Sequence, residues 1–175
     1  MFIGSPSDYA VAGLKSFGAE KIYIVSADDD SAFTSYLVAP KAEALAQLVE
    51  RTSPGAVLVS SSAEGKEVAA RLAVKTESGL VTDAVDVVAG DGDPVTTQSV
   101  FADSHTVTAK VTRGTPIITV KPNAATPEPA DGAGAVEQVA VRISEAAVDP
   151  GRRRTAAVGA DPRIPALPIH WSPHR

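Results

Sequence analysis

The stretch from Gly55 to Asp86, GAVLVSSSAEGKEVAARLAVKTESGLVTDAVD, limits this chain most. Its opening run, Ala56–Ser60, is apolar and too short for a helix, so it reads as a buried strand. Three serines, Ser60, Ser61 and Ser62, end that run. A helix is expected from about Ala63 to about Thr76. Val68 and Leu72 lie one turn apart on a face that Ala69 and Ala73 widen. Gly79 breaks the helical pattern, and Leu80–Val88 returns as a strand with Val81, Asp83, Val85 and Val87 at alternate positions. A strand, a helix and a returning strand form a βαβ unit, which builds parallel sheets with helices on their faces. Ser61 with Glu64 three residues on has the spacing of a capping box, so Ser61 is expected to cap the helix. The serine turn falls at the carboxyl end of a strand, where open α/β sheets bind their ligands.

The flanking segments extend this pattern. Phe2–Ile3–Gly4 reads as the last residues of a strand. Ser5, Pro6 and Ser7 open a helix whose inner face is expected to be Val11 and Leu14 and whose end is Gly18. Lys21–Val25 is β-branched and aromatic, hence a strand. Asp28, Asp29 and Asp30 follow it. Pro40 begins a helix with Leu45, Leu48 and Val49 on one stripe, ending near Arg51. Beyond the central unit, Thr96–Phe101 and Thr106–Thr112 are expected to pair antiparallel around Asp103-Ser104. Pro116–Lys121 reads as a short buried strand, Asn123 to Gly134 as an exposed connector, and Val136–Ile143 as a last strand.

Residues 1–145 are thus expected to form one domain and 146–175 a disordered tail. The tail holds Arg152, Arg153, Arg154, Arg163 and Arg175 but no Lys or Glu, and four prolines from Pro162 to Pro173. Prolines so close together sustain neither a helix nor a central strand. An Arg-, Pro- and His-rich ending is also what a frameshift in a GC-rich gene produces.

Composition removes several classes of function. The chain of 175 residues has no cysteine, which excludes disulfides, thiolate catalysis and cysteine-ligated metals. A net charge of −5 argues against nucleic acid or an anionic membrane surface as partner. No apolar run reaches the roughly 20 residues that span a bilayer, so no membrane insertion is expected. The start, Met-Phe-Ile-Gly, lacks the features of a signal peptide, and a cytoplasmic location is expected.

Several residues invite a chemical reading. Ser60, Ser61 and Ser62 could cradle a phosphate at a helix N-terminus. Capping accounts for at least one of these serines, and Glu64 sets a negative charge beside any anion. Asp28-Asp29-Asp30 could hold Mg²⁺, but a run of acids after a strand more often serves a solvated turn. Ser61, His105 and Asp103 are the residue types of a hydrolase triad, yet no Gly-x-Ser-x-Gly elbow exists. Gly132-x-Gly134 lacks the third glycine of a dinucleotide turn. Arg152-Arg153-Arg154 could meet an acidic partner, but reads first as a solvated charge run. No catalytic residue and no metal ligand is assigned. Lys66 and Arg71 are candidates for a partner interface, and Glu67 with Arg71 one turn on can pair on the helix surface.

Four segments taken together resemble a known family. They are LKSFGAEKIYIV, YLVAPKAEALAQLV, the block PGAVLVSSSAEGKEVAARLAVKTESGLVTDAVDV, and VTAKVTRGTPIITVKP. In this order they resemble the N-terminal domain of the electron-transfer flavoprotein alpha subunit. The specific signal is Gly65-Lys66-Glu67, Ala70-Arg71-Leu72-Ala73 and Ser78-Gly79-Leu80 with Asp83, and the likeness spans about Gly4 to Ile143. There are departures. The family begins with one more strand and helix, so Met1 is expected to fall inside its second strand. Where the family has Arg-Pro-x-Phe-Gly-Gly, this chain has Gln98-Ser99-Val100-Phe101-Ala102-Asp103. The family's FAD-holding C-terminal domain has no counterpart in this sequence.

The resemblance implies a heterodimer with a beta subunit that holds one FAD and carries electrons from dehydrogenases towards the respiratory chain. It implies that the alpha N-terminal domain is scaffold and contact surface, so no cofactor and no catalysis are expected of this chain alone. The expected fold is α/β: a three-layer, Rossmann-like domain whose mostly parallel sheet carries antiparallel strands at one edge. The expected function is that of a truncated alpha subunit. A nucleotide-binding module using the Ser60–Glu64 turn, or a non-functional fragment of a disrupted gene, are the alternatives.

Overall fold

The computed structural model describes residues 1–148. The first residues of the expected tail, Ala146–Val148, are instead part of a 3₁₀ turn with Ala147 buried, and the expectations for the rest of the tail lie outside the described residues. The elements alternate as the sequence suggests. They are β1 (Phe2–Ile3), α1 (Asp8–Ser16), β2 (Lys21–Ala27), α2 (Ala32–Ser35), α3 (Ala39–Thr52), β3 (Val57–Ser60), α4 (Ala63–Lys75), β4 (Leu80–Val88), β5 (Val95–Val100), β6 (His105–Lys110), β7 (Ile117–Val120), β8 (Ala135–Val141) and a closing 3₁₀ turn, Glu145–Val148. The short α2 was not foreseen.

The strands form two sheets rather than one continuous sheet. One has the order β1-β2-β8 and the other β3-β7-β4-β5-β6. All pairings in the first sheet are parallel. In the second, β3, β7 and β4 are parallel, and β5 and β6 add to the β4 edge antiparallel. The α/β, Rossmann-like reading with an antiparallel edge therefore stands. The division arises because β1 ends one sheet and β3 ends the other, and no strand among the described residues pairs with both.

Helix α3 ties the two sheets together. Its Ala44 and Leu48 pack with Val25, Phe33, Val139 and Val141 over the first sheet. Its Val49 packs with Val57, Leu72 and Ile117 over the second, and Leu45 borders both groups. Pro40 in the first turn is tolerated because that turn has no internal donor to lose. The stop is Ser53, which adopts a left-handed conformation at φ 45° while its N–H bonds the Val49 carbonyl.

Helix α4 covers the second sheet with Ala69, Leu72 and Ala73, of which Leu72 is fully buried. The opposite face of β3 is open: Leu58 is 59% exposed. Helix α1 departs from expectation. Ser7 caps it, but none of its side chains is buried, and Leu14 is exposed rather than part of an inner face. The Asn123–Gly134 connector is mostly exposed, as expected, yet it is pinned. Ala130, Gly132 and Gly134 donate N–H bonds to Ser16, Lys15 and Ala19 carbonyls at 3.0, 3.2 and 2.8 Å.

Candidate functional site

The carboxyl ends of β3, β7 and β4 lie side by side, and four side chains meet there: Ser61, Lys66, Asp83 and Thr119. The Ser61 N–H bonds the Val120 carbonyl at 2.8 Å, which carries the strand ladder one residue past β3. This turns the Ser61 hydroxyl towards β4. It donates to Asp83 Oδ1 at 2.5 Å and lies 3.0 Å from Thr119 Oγ1. Thr119 is fully buried, and its Oγ1 accepts the Asp83 N–H at 3.0 Å. Since the Ser61 proton goes to Asp83, the Thr119 proton goes to Ser61, and the ring of hydrogen bonds closes on itself. Lys66 Nζ reaches both Asp83 oxygens at 3.3 and 3.4 Å from one turn into α4.

Asp83 is placed by an irregularity in β4. The register with β7 shifts between Val81 and Ala84, and Asp83 adopts φ 58°, a conformation aspartate tolerates better than most residues. The Ser61 hydroxyl holds its carboxyl below the usual carboxylate range. Partial burial works against that, and Lys66 and the more distant charge of Lys121 add to it. Asp83 is therefore an anion at neutral pH.

The helix cap is one residue later than the capping-box spacing implies. Ser62, in extended conformation at ψ 167°, accepts the Gly65 N–H at 2.9 Å, and Ser61 takes no part in capping. The reason is register: Ser61 still belongs to the strand ladder, so the first residue able to turn back onto the helix is Ser62. Glu64 does not return to the cap but pairs with Lys41 on α3.

The turn is poorly suited to a phosphate. Ser61 and Ser62 already use their hydroxyls within the fold, and the Asp83 anion would repel the guest. Packing closes it further: a Cβ on Gly65 would come 2.0 Å from the Ser60 carbonyl oxygen. The same features do not fit the pyrophosphate of FAD, so no step through a flavin is derived at this turn.

The remaining candidates are dispersed. Asp103 accepts from Ser99 at 2.5 Å and His105 Nδ1 is 2.9 Å from Ser104 Oγ, so neither shares a partner with Ser61 and no triad forms. Asp29 and Asp30 accept the N–H groups of Ser31 and Ala27 at 2.9 and 2.8 Å, ordering the turn before α2. Among the described residues no group of three or more His, Asp or Glu side chains could hold a metal. Arg71 pairs with Glu67 at 2.7 Å. It borders an open groove between α3, α4 and the 3₁₀ turn, lined by Ala70, Val74 and Ala146 with buried Ala39 and Ala147 beneath. Sequence reasoning missed Thr119 altogether. Its one signal is a lone hydroxyl in the apolar strand Ile117–Val120, which must find a partner if buried.

Fold and site together define a Rossmann-like α/β domain whose strand-end turn is tied up internally rather than left open for a ligand. The comparisons with known proteins agree with that class and narrow it. The model of the electron transfer flavoprotein domain family matches residues 1–145, and the chain belongs to that family. It is 43% identical over 147 residues to the electron transfer flavoprotein subunit alpha of Mycobacterium tuberculosis (strain ATCC 25618 / H37Rv), covering 83% of this chain and 44% of that protein. The same subunit of Mycobacterium leprae (strain TN) is 43% identical over 143 residues, 81% of this chain and 42% of its own length. That of Bacillus subtilis (strain 168) is 24% identical over 149 residues, 83% and 44%. The chain thus spans less than half the length of these relatives.

Proposed function

We propose that this chain is the scaffold domain of an electron-transfer flavoprotein alpha subunit and contacts a beta subunit. The assembled carrier would pass electrons from dehydrogenases towards the respiratory chain in the cytoplasm. FAD, when bound in that heterodimer, supplies the redox chemistry. This chain's own residues supply packing and surface. The observation that carries the reading is the closed Ser61–Asp83–Thr119 ring in a domain of this family. It spends on fold cohesion the very groups a ligand site would leave available. Arg71 and the groove beside Val74, which is 80% exposed, are the proposed contact surface, and Lys66, half-exposed and paired with Asp83, is a second proposed contact. The described residues contain no helix long and apolar enough to cross a membrane.

Co-expression with a tagged beta subunit tests the reading. The chain is expected to co-purify, and Arg71→Glu with Val74→Asp to abolish that. Failure of the unmodified chain to co-purify while folded would overturn it. Chain alone, mixed with FAD and desalted, is expected to keep no yellow flavin spectrum. Stoichiometric flavin would contradict the scaffold role.

A further inference from the structure

Strand β6 ends the five-stranded sheet, and its outer edge has no partner strand among the described residues. It pairs with β5 through six consecutive residues without a bulge, so the edge is regular. All of β6 is exposed except Ala109, which is half-buried. Natural edge strands are usually blunted by proline, bulges or charges. Thr106–Ala109 has none of these. The one charge, Lys110, lies at the end of the strand and is drawn towards Asp93 and the Asp91 carbonyl. An unprotected row of main-chain donors and acceptors is a template for another strand.

The order of residues along the edge selects which strand. Thr106-Val107-Thr108 reads the same in both directions. Antiparallel pairing about a two-fold axis at Val107 sets Val107 opposite its copy and Thr106 opposite Thr108. His105 then faces Ala109, and Lys110 faces Ser104. β-branched and Thr–Thr cross-strand pairs stabilise such a ladder, and in this register no lysine faces its own copy. We propose that β6 is a self-association edge: two copies join β6 to β6 and merge their sheets across an isologous contact. A lone strand pair buries less than a standard interface, so the dimer is weak and forms at high protein concentration. This inference stands apart from the flavoprotein reading.

Sedimentation of the full chain from about 10 to about 500 μM, a range suited to an interface below standard size, tests it. The average mass is expected to rise from 17.9 kDa towards twice that value. Val107→Lys and Val107→Glu each put like charges face to face and should weaken association by about tenfold or more. Their equimolar mixture should restore it. Unchanged far-UV circular dichroism and melting temperature separate this from misfolding. If either variant unfolds, Thr106→Lys with Thr108→Lys makes the same test on the other face. An unmodified chain that stays monomeric, a folded variant that associates as before, or a mixture that does not recover would each overturn the proposal.

Discussion

Phe101, Ala102 and Asp103 all adopt positive φ, at 53°, 53° and 64°, in the tip that joins β5 to β6. The left-handed region costs a non-glycine residue about 1–2 kcal/mol. Asp103 recovers part of this through its bond from Ser99. Ala102 has no polar side chain with which to do so. Ala102→Gly is therefore expected to raise stability by about 0.5–1 kcal/mol after the larger unfolded-state freedom of glycine is subtracted. A higher urea midpoint at constant slope is the check. The serines separate by role in the same way. Ser62→Ala removes the α4 cap and should cost about 1 kcal/mol. Ser61→Ala removes the leading cause of the Asp83 shift, so the Asp83 carboxyl, followed by NMR, should titrate closer to its ordinary value of 3.8. An unmoved titration would mean that the lysines, Lys66 and the more distant Lys121, hold it down.

At the scale of elements, α4 against β3 and β7 is the contact that organises the second sheet. Leu72 is fully buried between Val57, Ile117 and its own helix neighbours. Leu72→Ala should cost about 3 kcal/mol through lost burial and the cavity left behind. Gly65 is the point of closest approach. The added methyl of Gly65→Ala meets the Ser60 backbone, which has no rotamer by which to yield, so a loss of about 2 kcal/mol or more is expected by thermal denaturation. The run Gly65-Lys66-Glu67 thus has a physical meaning that its spacing alone does not convey: the glycine lets α4 sit on the strand end, and the lysine reaches Asp83. The helices α3 and α4 and the strands β2, β3 and β4 were legible from apolar periodicity and from Pro40 and Gly79. The cap was misplaced by one residue, because helical spacing cannot tell whether Ser61 still belongs to the strand ladder.

For the molecule as a whole, Glu43 on α3 fastens the segment after β8. Its carboxylate accepts the Ser144 N–H and hydroxyl at 2.9 and 2.8 Å and pairs with Lys75 of α4 at 3.0 Å. Partial burial opposes ionisation of Glu43. The Ser144 N–H, Lys75 and the Ser144 hydroxyl together outweigh it, so its folded value lies below the ordinary 4.5. A lowered folded value means that the ionised form favours the fold. The contribution is present above pH 4.5 and is lost as the pH falls through the lowered value. Urea melts of the chain and of Glu43→Gln between pH 7 and 3 should differ most at neutral pH and converge in acid. A constant difference would assign Glu43 a packing role alone.

The order of strands and helices, the antiparallel edge and the buried stripes of α3 and α4 follow from the chain's local pattern, because burial of one face imposes a period that the residues must match. Local pattern could not decide that the strands fall into two sheets, that α1 leaves Val11 and Leu14 without a buried face, or that Ser61 turns to Asp83 and Thr119 instead of to its own helix. Those outcomes depend on which strand ends lie side by side, and positions 61, 83 and 119 become neighbours only when β3, β7 and β4 pair in register.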